Sequence, residues 1–358
     1  MNLNNVDKTY KITTAEGLGD LQVWDIKEAP ISVHGVFFEE DKYKRLPLSV
    51  AQTVSQGVCV LHSVPAGGRI KFRTNSRIVA LFVTEAPYIY ATQTASASSG
   101  FEIFANGKHV KSAFLQLENF KNLEQGKEFS TYVRFERKTM REIEIYFPLY
   151  SRVNQVLIGL DLDSEIKESE NYKKVPPIFY YGSSISQGCC ASKPSCTYES
   201  FIERWTNMDY INFGFAGNCR AEKTMLEYIA AQPMSAFVLE YDYNANTPEY
   251  LRETHLPCYK MIREKHLDIP IIMMSRPEAN LSADSLLRRD IVKATYEYAK
   301  AKGDKNVYFI DGHTLFGKAD KDVCTVEGCH PTDLGFYRMA KRIYKVLKIA
   351  FENIGEKI

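Results

Sequence analysis

Two different periods divide the chain. Up to about Leu162 apolar and polar positions alternate, and hardly any helical pattern is visible. Arg69-Ile-Lys-Phe-Arg, Ile78-Val-Ala-Leu-Phe-Val-Thr84, Phe101-Glu-Ile-Phe104, Tyr132-Val-Arg-Phe-Glu136 and Glu142-Ile-Glu-Ile-Tyr-Phe147 are short and rich in β-branched or aromatic residues. Turn formers stand between them, as in Ala66-Gly-Gly and Ala105-Asn-Gly. A period of two with regular turn punctuation predicts an antiparallel sandwich with half-buried strands.

Beyond a polar connector at about 165–174 the pattern changes. Ile178-Phe-Tyr-Tyr181, Tyr210-Ile-Asn-Phe213, Ala236-Phe-Val-Leu-Glu240, Ile271-Ile-Met-Met274 and Val307-Tyr-Phe-Ile310 are strands of the buried type. They alternate with helices expected near 198–205, 221–231, 248–265, 285–302 and 333–351. Five strand–helix repeats predict a parallel sheet with helices on both faces. Such sheets carry their chemistry in the loops that leave the carboxyl ends of the strands. The expected organisation is a β-domain over residues 1–165 and an α/β domain over 175–358. There is no internal repeat and no low-complexity segment.

Composition narrows the partners. Hydrophobic residues make up 45% and charged residues 25% of the 358, the profile of a soluble globular protein. The formal net charge is +1 and no Lys/Arg stripe stands out, which argues against nucleic acid or anionic membrane as partners. The amino-terminal stretch is polar, without the apolar core of a signal peptide. No apolar run approaches the ~20 residues of a membrane span. The expectation is a cytoplasmic protein whose eight cysteines are thiols. Their spacing is irregular, and seven of the eight lie from Cys189 onward. No CxxC pair opens a zinc site, and adjacent Cys189-Cys190 is a poor chelating pattern. Small buried fillers are the plain reading.

Four loops carry candidate chemistry. Gly182-Ser-Ser-Ile-Ser-Gln-Gly188 follows the first strand. A Ser in a Gly-flanked turn between strand and helix is held among backbone N–H groups, which suits a nucleophile that forms an oxyanion intermediate. A helix cap or phosphate cradle would have the same look. Asn212-Phe-Gly-Phe-Ala-Gly-Asn218 follows the second strand; its glycines permit positive φ, as a plain tight turn also requires. Tyr241-Asp-Tyr-Asn-Ala-Asn246 follows the third and offers a side-chain amide, or merely a cap. Near the end, Thr325-Val-Glu-Gly-Cys-His-Pro-Thr-Asp-Leu-Gly335 sets Glu327 and His330 three apart before the last helix. A carboxylate so placed can hold the imidazole through Nδ1–H and leave Nε2 free to take a proton. The alternative is a loop histidine beside an N-cap at Thr332 or Asp333.

In order and spacing the four loops resemble the blocks of the SGNH (GDSL-like) hydrolase family. Ser184 matches the family's nucleophile, Gly217 its second-block glycine, Asn244 its third-block asparagine and His330 its histidine. Glu327 stands where the family usually has Asp. The likeness spans roughly Pro177 to Ala350. Ser275-Arg-Pro277, Asp311-Gly, Leu315-Phe-Gly317 and His330-Pro-Thr-Asp-Leu-Gly335 are similar to one branch, and Ser99-Gly-Phe-Glu-Ile-Phe104 is similar to a signature of that branch's N-terminal β-domain. The resemblance implies a flavodoxin-like sheet preceded by a jelly-roll-like sandwich. It further implies a Ser184-His330-Glu327 triad and an oxyanion hole from Ser184 N–H, Gly217 N–H and the Asn244 amide. No metal or cofactor is required.

Two residues depart from the family pattern. Ser183 replaces the first-block Asp, and Glu327 is one methylene longer than Asp, which leaves Asp322 or a backbone carbonyl as other candidates to orient His330. The branch includes carbohydrate acyl esterases, so the expected substrate is a small-molecule or oligosaccharide ester, most naturally an O-acetyl sugar. Aromatic residues total 12%, and Trp205, Tyr241, Tyr243 and Arg276 lie next to the loops. The rival readings are an esterase or thioesterase for non-sugar acyl groups, and a carbohydrate-binding protein with weakened catalysis. The β-domain is left to bind glycan, shape the cleft, or form a homo-oligomer.

Overall fold

The computed structural model describes residues 11–15, 18–88, 92–113, 127–170 and 172–358; the polar amino-terminal stretch before residue 11 lies outside them. The chain divides into two compact units.

The first unit takes in the described residues up to Arg45, those from Ser63 to residue 170, and Lys193–Ser195. One antiparallel sheet has the order Lys11–Ala15, Gly19–Asp25, Arg152–Asp161, Ile78–Ala86, Lys127–Arg134. The other runs Ile166–Lys167, Arg69–Thr74, Arg141–Tyr146, Phe101–Ala105, Lys108–Ala113, with Ser32–His34 also paired to Arg69–Thr74. Alternate residues meet in a shared core: Val79, Leu81, Val83 and Ile158 from the first sheet, Ile70, Phe72, Ile103 and Ile145 from the second. The period-two reading needs one correction. Ile78, Ala80 and Phe82 are buried as well, in a second cluster with Leu21, Val23 and Leu157. The strand from Ile78 is therefore covered on both faces, which explains its unbroken apolar run. The polar connector also does more than link, because Ile166–Lys167 pairs with Thr74 and Arg73. Residues 193–195 join this unit through the buried Glu102 carboxylate, which accepts from Ser195 N–H and lies 3.1 Å from Lys193 Nζ.

The second unit comprises Leu46–His62, Tyr172–Ser192 and Cys196–Ile358. Its five strands are all parallel, in the order Tyr210–Gly214, Ile178–Gly182, Ala236–Glu240, Ile271–Met274, Val307–Ile310. This 2-1-3-4-5 order is flavodoxin-like. Helices Tyr198–Thr206, Lys223–Ala230, Pro248–Lys265, Ala283–Ala301 and Asp333–Asn353 alternate with the strands. Thr197, Thr247, Ser282 and Thr332 cap four of them by accepting from the backbone N–H three residues on, which satisfies a donor that the first turn leaves open.

A single cut near residue 165 does not separate the two units, because two helices, Leu48–Val54 and Gln56–Leu61, belong to the second. Leu46, Ala51 and Val58 share its core with Phe213, Phe215 and Met225. At 7 and 6 residues these helices are too short to show a helical period in the sequence.

Close packing fixes the second strand against the turn that follows the first. A Cβ at Gly214 would stand 2.1 Å from Gln187 N and 2.5 Å from Ser186 C, both backbone atoms. Gly214→Ala is expected to destabilise the protein by about 1–3 kcal/mol, the usual cost of overpacking. Urea denaturation measures it; an unchanged midpoint would mean that this contact constrains nothing.

Candidate active site

The strand order reverses around Ile178–Gly182, and the loops from this strand and its two neighbours converge at the carboxyl edge, where such sheets bind ligands. Ser184 opens the short helix Ser184–Gln187, with Ser183 as its N-cap: Ser183 Oγ accepts from Ile185 N–H at 3.1 Å. The helix ends after one turn because Gly188 takes a left-handed φ of +101°. Ser184 Oγ lies 2.8 Å from His330 Nε2.

His330 sits in a tight loop closed by an antiparallel bridge between Thr325 and Pro331 and by Val326 N–H donating to His330 O at 2.9 Å. Gly328, at φ +90°, allows the reversal, and the loop folds Glu327 back onto the histidine. Glu327 Oε1 accepts from His330 Nδ1–H and, at 3.3 Å, from His330 N–H. A carboxylate only accepts, so Nδ1 carries the proton and Nε2 is left to accept from the Ser184 hydroxyl. Asp322 lies in a separate short helix, Asp322–Cys324, and the Nδ1 partner is Glu327. Thr332 caps the last helix, while the Asp333 carboxylate accepts from Ser192 N–H at 2.8 Å and from the Ser192 hydroxyl. Asp333 thereby ties the loop beyond Ser184 to the helix beyond His330.

Gly217 and Asn244 occupy the neighbouring loops. Gly217 has φ +69°, a conformation that favours glycine. The residue before it, Ala216, donates its N–H to Gln187 Oε1 at 2.9 Å, which couples this loop to the helix of Ser184. Asn244 Oδ1 accepts from Cys219 N–H at 3.2 Å, so its Nδ2 is the free end of the amide. Among the described residues, no protein acceptor takes the N–H of Ser184, the N–H of Gly217 or the Asn244 Nδ2. Gly57, on a helix from before the first strand of the sheet, abuts the same loop: a Cβ there would stand 1.8 Å from Asn218 Oδ1.

Glu240, unnoticed in the sequence beyond its place at a strand end, is fully buried behind the Ser183–Ser184 turn. Its Oε2 accepts from Ser183 Oγ at 2.8 Å, Ser183 N–H at 3.3 Å and Ser186 Oγ at 3.1 Å. Its Oε1 is buried without a hydrogen-bond partner among the described residues. Burial pushes this carboxyl up to about 7. Ser183, where the family has Asp, therefore leans on a carboxyl group from the adjacent strand.

The aromatic candidates separate. Tyr241 is core, stacked on His255 at 5.8 Å. Trp205 is 36% exposed and packs with Phe201, Tyr337 and Tyr344 on a helical face. Tyr243 adjoins Asn244, under the Arg276 guanidinium at 5.3 Å, with its hydroxyl donating to Pro277 O. Arg276 is held in turn by Glu278 and Asp284. An open cavity of about 460 Å³ adjoins the carboxylate side of His330; Glu278, Asn280, Ser282, Asp322, Thr325 and Glu327 line it.

Fold and site together define an ester hydrolase built on a flavodoxin-like sheet. Residues 175–348 match the GDSL-like lipase/acylhydrolase family and residues 21–166 match the N-terminus of SGNH hydrolase-type esterases; the chain belongs to this family. It is similar to the structure of a GDSL-like lipase from Bacteroides ovatus ATCC 8483, at 27% identity over 92% of this chain and 98% of that one, with a TM-score of 0.79. A salicylyl-acyltransferase from a tetracycline biosynthetic pathway shares the fold at 18% identity over 94% and 98%, TM-score 0.75. So does a family two carbohydrate esterase from Clostridium thermocellum, solved with cellohexaose, at 12% identity over 91% and 99%, TM-score 0.62. No curated protein sequence matches the chain. No helix among the described residues is long and apolar enough to cross a membrane.

Glu240 makes stability depend on pH. In the unfolded chain its carboxyl ionises near the ordinary 4.5, whereas the folded protein keeps the proton up to about 7. The folded state binds more protons within that window, so this group's contribution to stability falls as pH rises from 4.5 to 7. Glu240→Gln retains an acceptor for the serines and removes the titration. Its denaturation midpoint is expected to vary less with pH over the window than that of the wild type; parallel pH curves would contradict the assignment.

Proposed function

We propose that the protein is a serine esterase that removes short acyl groups, chiefly acetyl, from carbohydrate, with Ser184 as nucleophile, His330 as general base and Glu327 as the acid that orients it. The 2.8 Å contact between Ser184 Oγ and His330 Nε2, with Nδ1 held by Glu327, is the observation that carries this reading.

Attack by Ser184 Oγ on the ester carbonyl carbon passes the hydroxyl proton to His330 Nε2. The imidazolium returns that proton to the departing alkoxide, and an acyl-enzyme remains. A water molecule then gives its proton to Nε2 and attacks the acyl carbon; collapse frees the acid and restores the serine. Glu327 stabilises the imidazolium in both steps. The former carbonyl oxygen carries negative charge in both tetrahedral intermediates, and Ser184 N–H, Gly217 N–H and Asn244 Nδ2 are the donors assigned to it. Their lack of other acceptors and the tether from Asn244 Oδ1 to Cys219 support that role, since a donor fixed in advance costs no reorganisation during reaction.

The cavity beside Glu327 offers hydrogen-bonding groups from Asn280, Ser282 and Thr325 to a hydroxylated alcohol, alongside the apolar Ala279 and Val326. The carbohydrate esterase that shares the fold points the same way.

Ser184→Ala is expected to lower kcat on para-nitrophenyl acetate by orders of magnitude. Loss of one oxyanion donor in Asn244→Ala should cost about 100- to 1000-fold. Acetate should be released from an acetylated oligosaccharide, and para-nitrophenyl decanoate should be a poor substrate. Preference for decanoate would move the substrate to lipid, and full turnover in Ser184→Ala would remove the mechanism.

A further inference from the structure

We propose that Cys189, Cys190 and His330 form a site for a thiophilic divalent cation, Zn²⁺ or Cd²⁺, whose binding silences the esterase. The silencing rests on the role given to His330 above; the cation site itself does not.

Adjacent cysteines are ordinarily a poor chelate because neighbouring side chains diverge. Here the turn after Ser184 removes that obstacle. Gly188 has φ +101° and Cys190 φ +70°, both left-handed, and the two sulfurs stand 3.7 Å apart. Two thiolates at about 2.3 Å on a tetrahedral zinc ion are themselves about 3.8 Å apart. The ligand atoms of Cys189, Cys190 and His330 all lie within 4.8 Å of one another. Both thiols are buried, at 2% and 8% exposure, while the His330 side chain is 19% exposed and leaves an edge for entry.

Glu327 already engages Nδ1, so Nε2 is the nitrogen left for the metal. A carboxylate behind a ligating histidine is the usual outer support of such sites. The backbone holds the set together: Cys189 N–H donates to Ser184 O at 2.9 Å. Binding releases one proton from each thiol to solvent, and two thiolates neutralise the cation's charge. A water molecule is free to fill the fourth position. With its lone pair given to the metal, Nε2 cannot take the Ser184 proton. Because thiol protons must leave, the cation binds more tightly as pH rises.

The test is a Cd²⁺ titration of reduced, chelator-treated protein, read by thiolate-to-cadmium charge-transfer absorption and, in parallel, by para-nitrophenyl acetate turnover. Wild type should gain the band and lose activity together, with both effects reversed by chelator. Cys189→Ala and Cys190→Ala should each need about tenfold more Cd²⁺ or greater for half-inhibition of their own metal-free activity, since loss of even an outer-shell partner costs about 10–100-fold. Cys329→Ala, which alters the thiol next to His330 in sequence, should behave as wild type. Ser184→Ala should keep the band although it cannot turn over, which separates the two readings. A band in a protein without esterase activity would leave the cation site standing and remove the proposed function. Active enzyme that Cd²⁺ neither marks nor inhibits, or inhibition unchanged in both cysteine variants, would overturn the site. The wild-type band and its reversal decide the matter if the variants fail to fold.

Discussion

A hydroxyl and an imidazole 146 positions apart in the chain meet at 2.8 Å, and most of the second unit's architecture serves that contact. Each partner is held from behind rather than by the other. Ser184 is fixed by its one-turn helix, by Glu240 behind the N-cap and by the second strand packed without a Cβ at Gly214. His330 is fixed by a loop that closes on itself and by Glu327 on the far nitrogen. Asp333 then links the two sides through Ser192. A hydroxyl positioned this way needs little further ordering to reach a fixed geometry.

The same logic explains the charge buried beneath the site. Ser183 stands where the family has Asp, and the Glu240 carboxyl of the neighbouring strand accepts from its hydroxyl. Burial disfavours the ionised form of Glu240 and pushes the carboxyl up to about 7, so below that pH the group accepts from its three donors while holding a proton. Asp242, two residues on, is buried too, and burial pushes its carboxyl upward as well, although Arg276 N–H donates to it and Arg288 at 3.4 Å offsets part of that cost.

Much of this was legible in the chain. Buried-type strand runs such as Ile271-Ile-Met-Met274 read directly as a parallel sheet, because strands covered on both faces have no polar alternation to hide them. Ser184, His330 and Glu327 could be named from motif order, and the structure brings those three into contact. Other features left no local signal. The helices Leu48–Val54 and Gln56–Leu61 are too short to show a period, so their place beside the Gly217 loop, with Gly57 against Asn218, was invisible. Glu240 looked like the last residue of a strand, and its meaning depends on Ser183 and Ser186 from another strand's loop. Cys189-Cys190 read as a poor chelate because sequence spacing says nothing of the positive φ that turns both sulfurs together.

The central claim is that Ser184 is a nucleophile activated by His330. Covalent labelling tests it without any assumption about substrate. The protein would be treated with a fluorophosphonate and digested, and the modified peptide located by mass spectrometry. The account predicts a single adduct on Ser184, lost in Ser184→Ala and formed far more slowly in His330→Ala. An adduct on another residue, or labelling that proceeds at the same rate without His330, would contradict it.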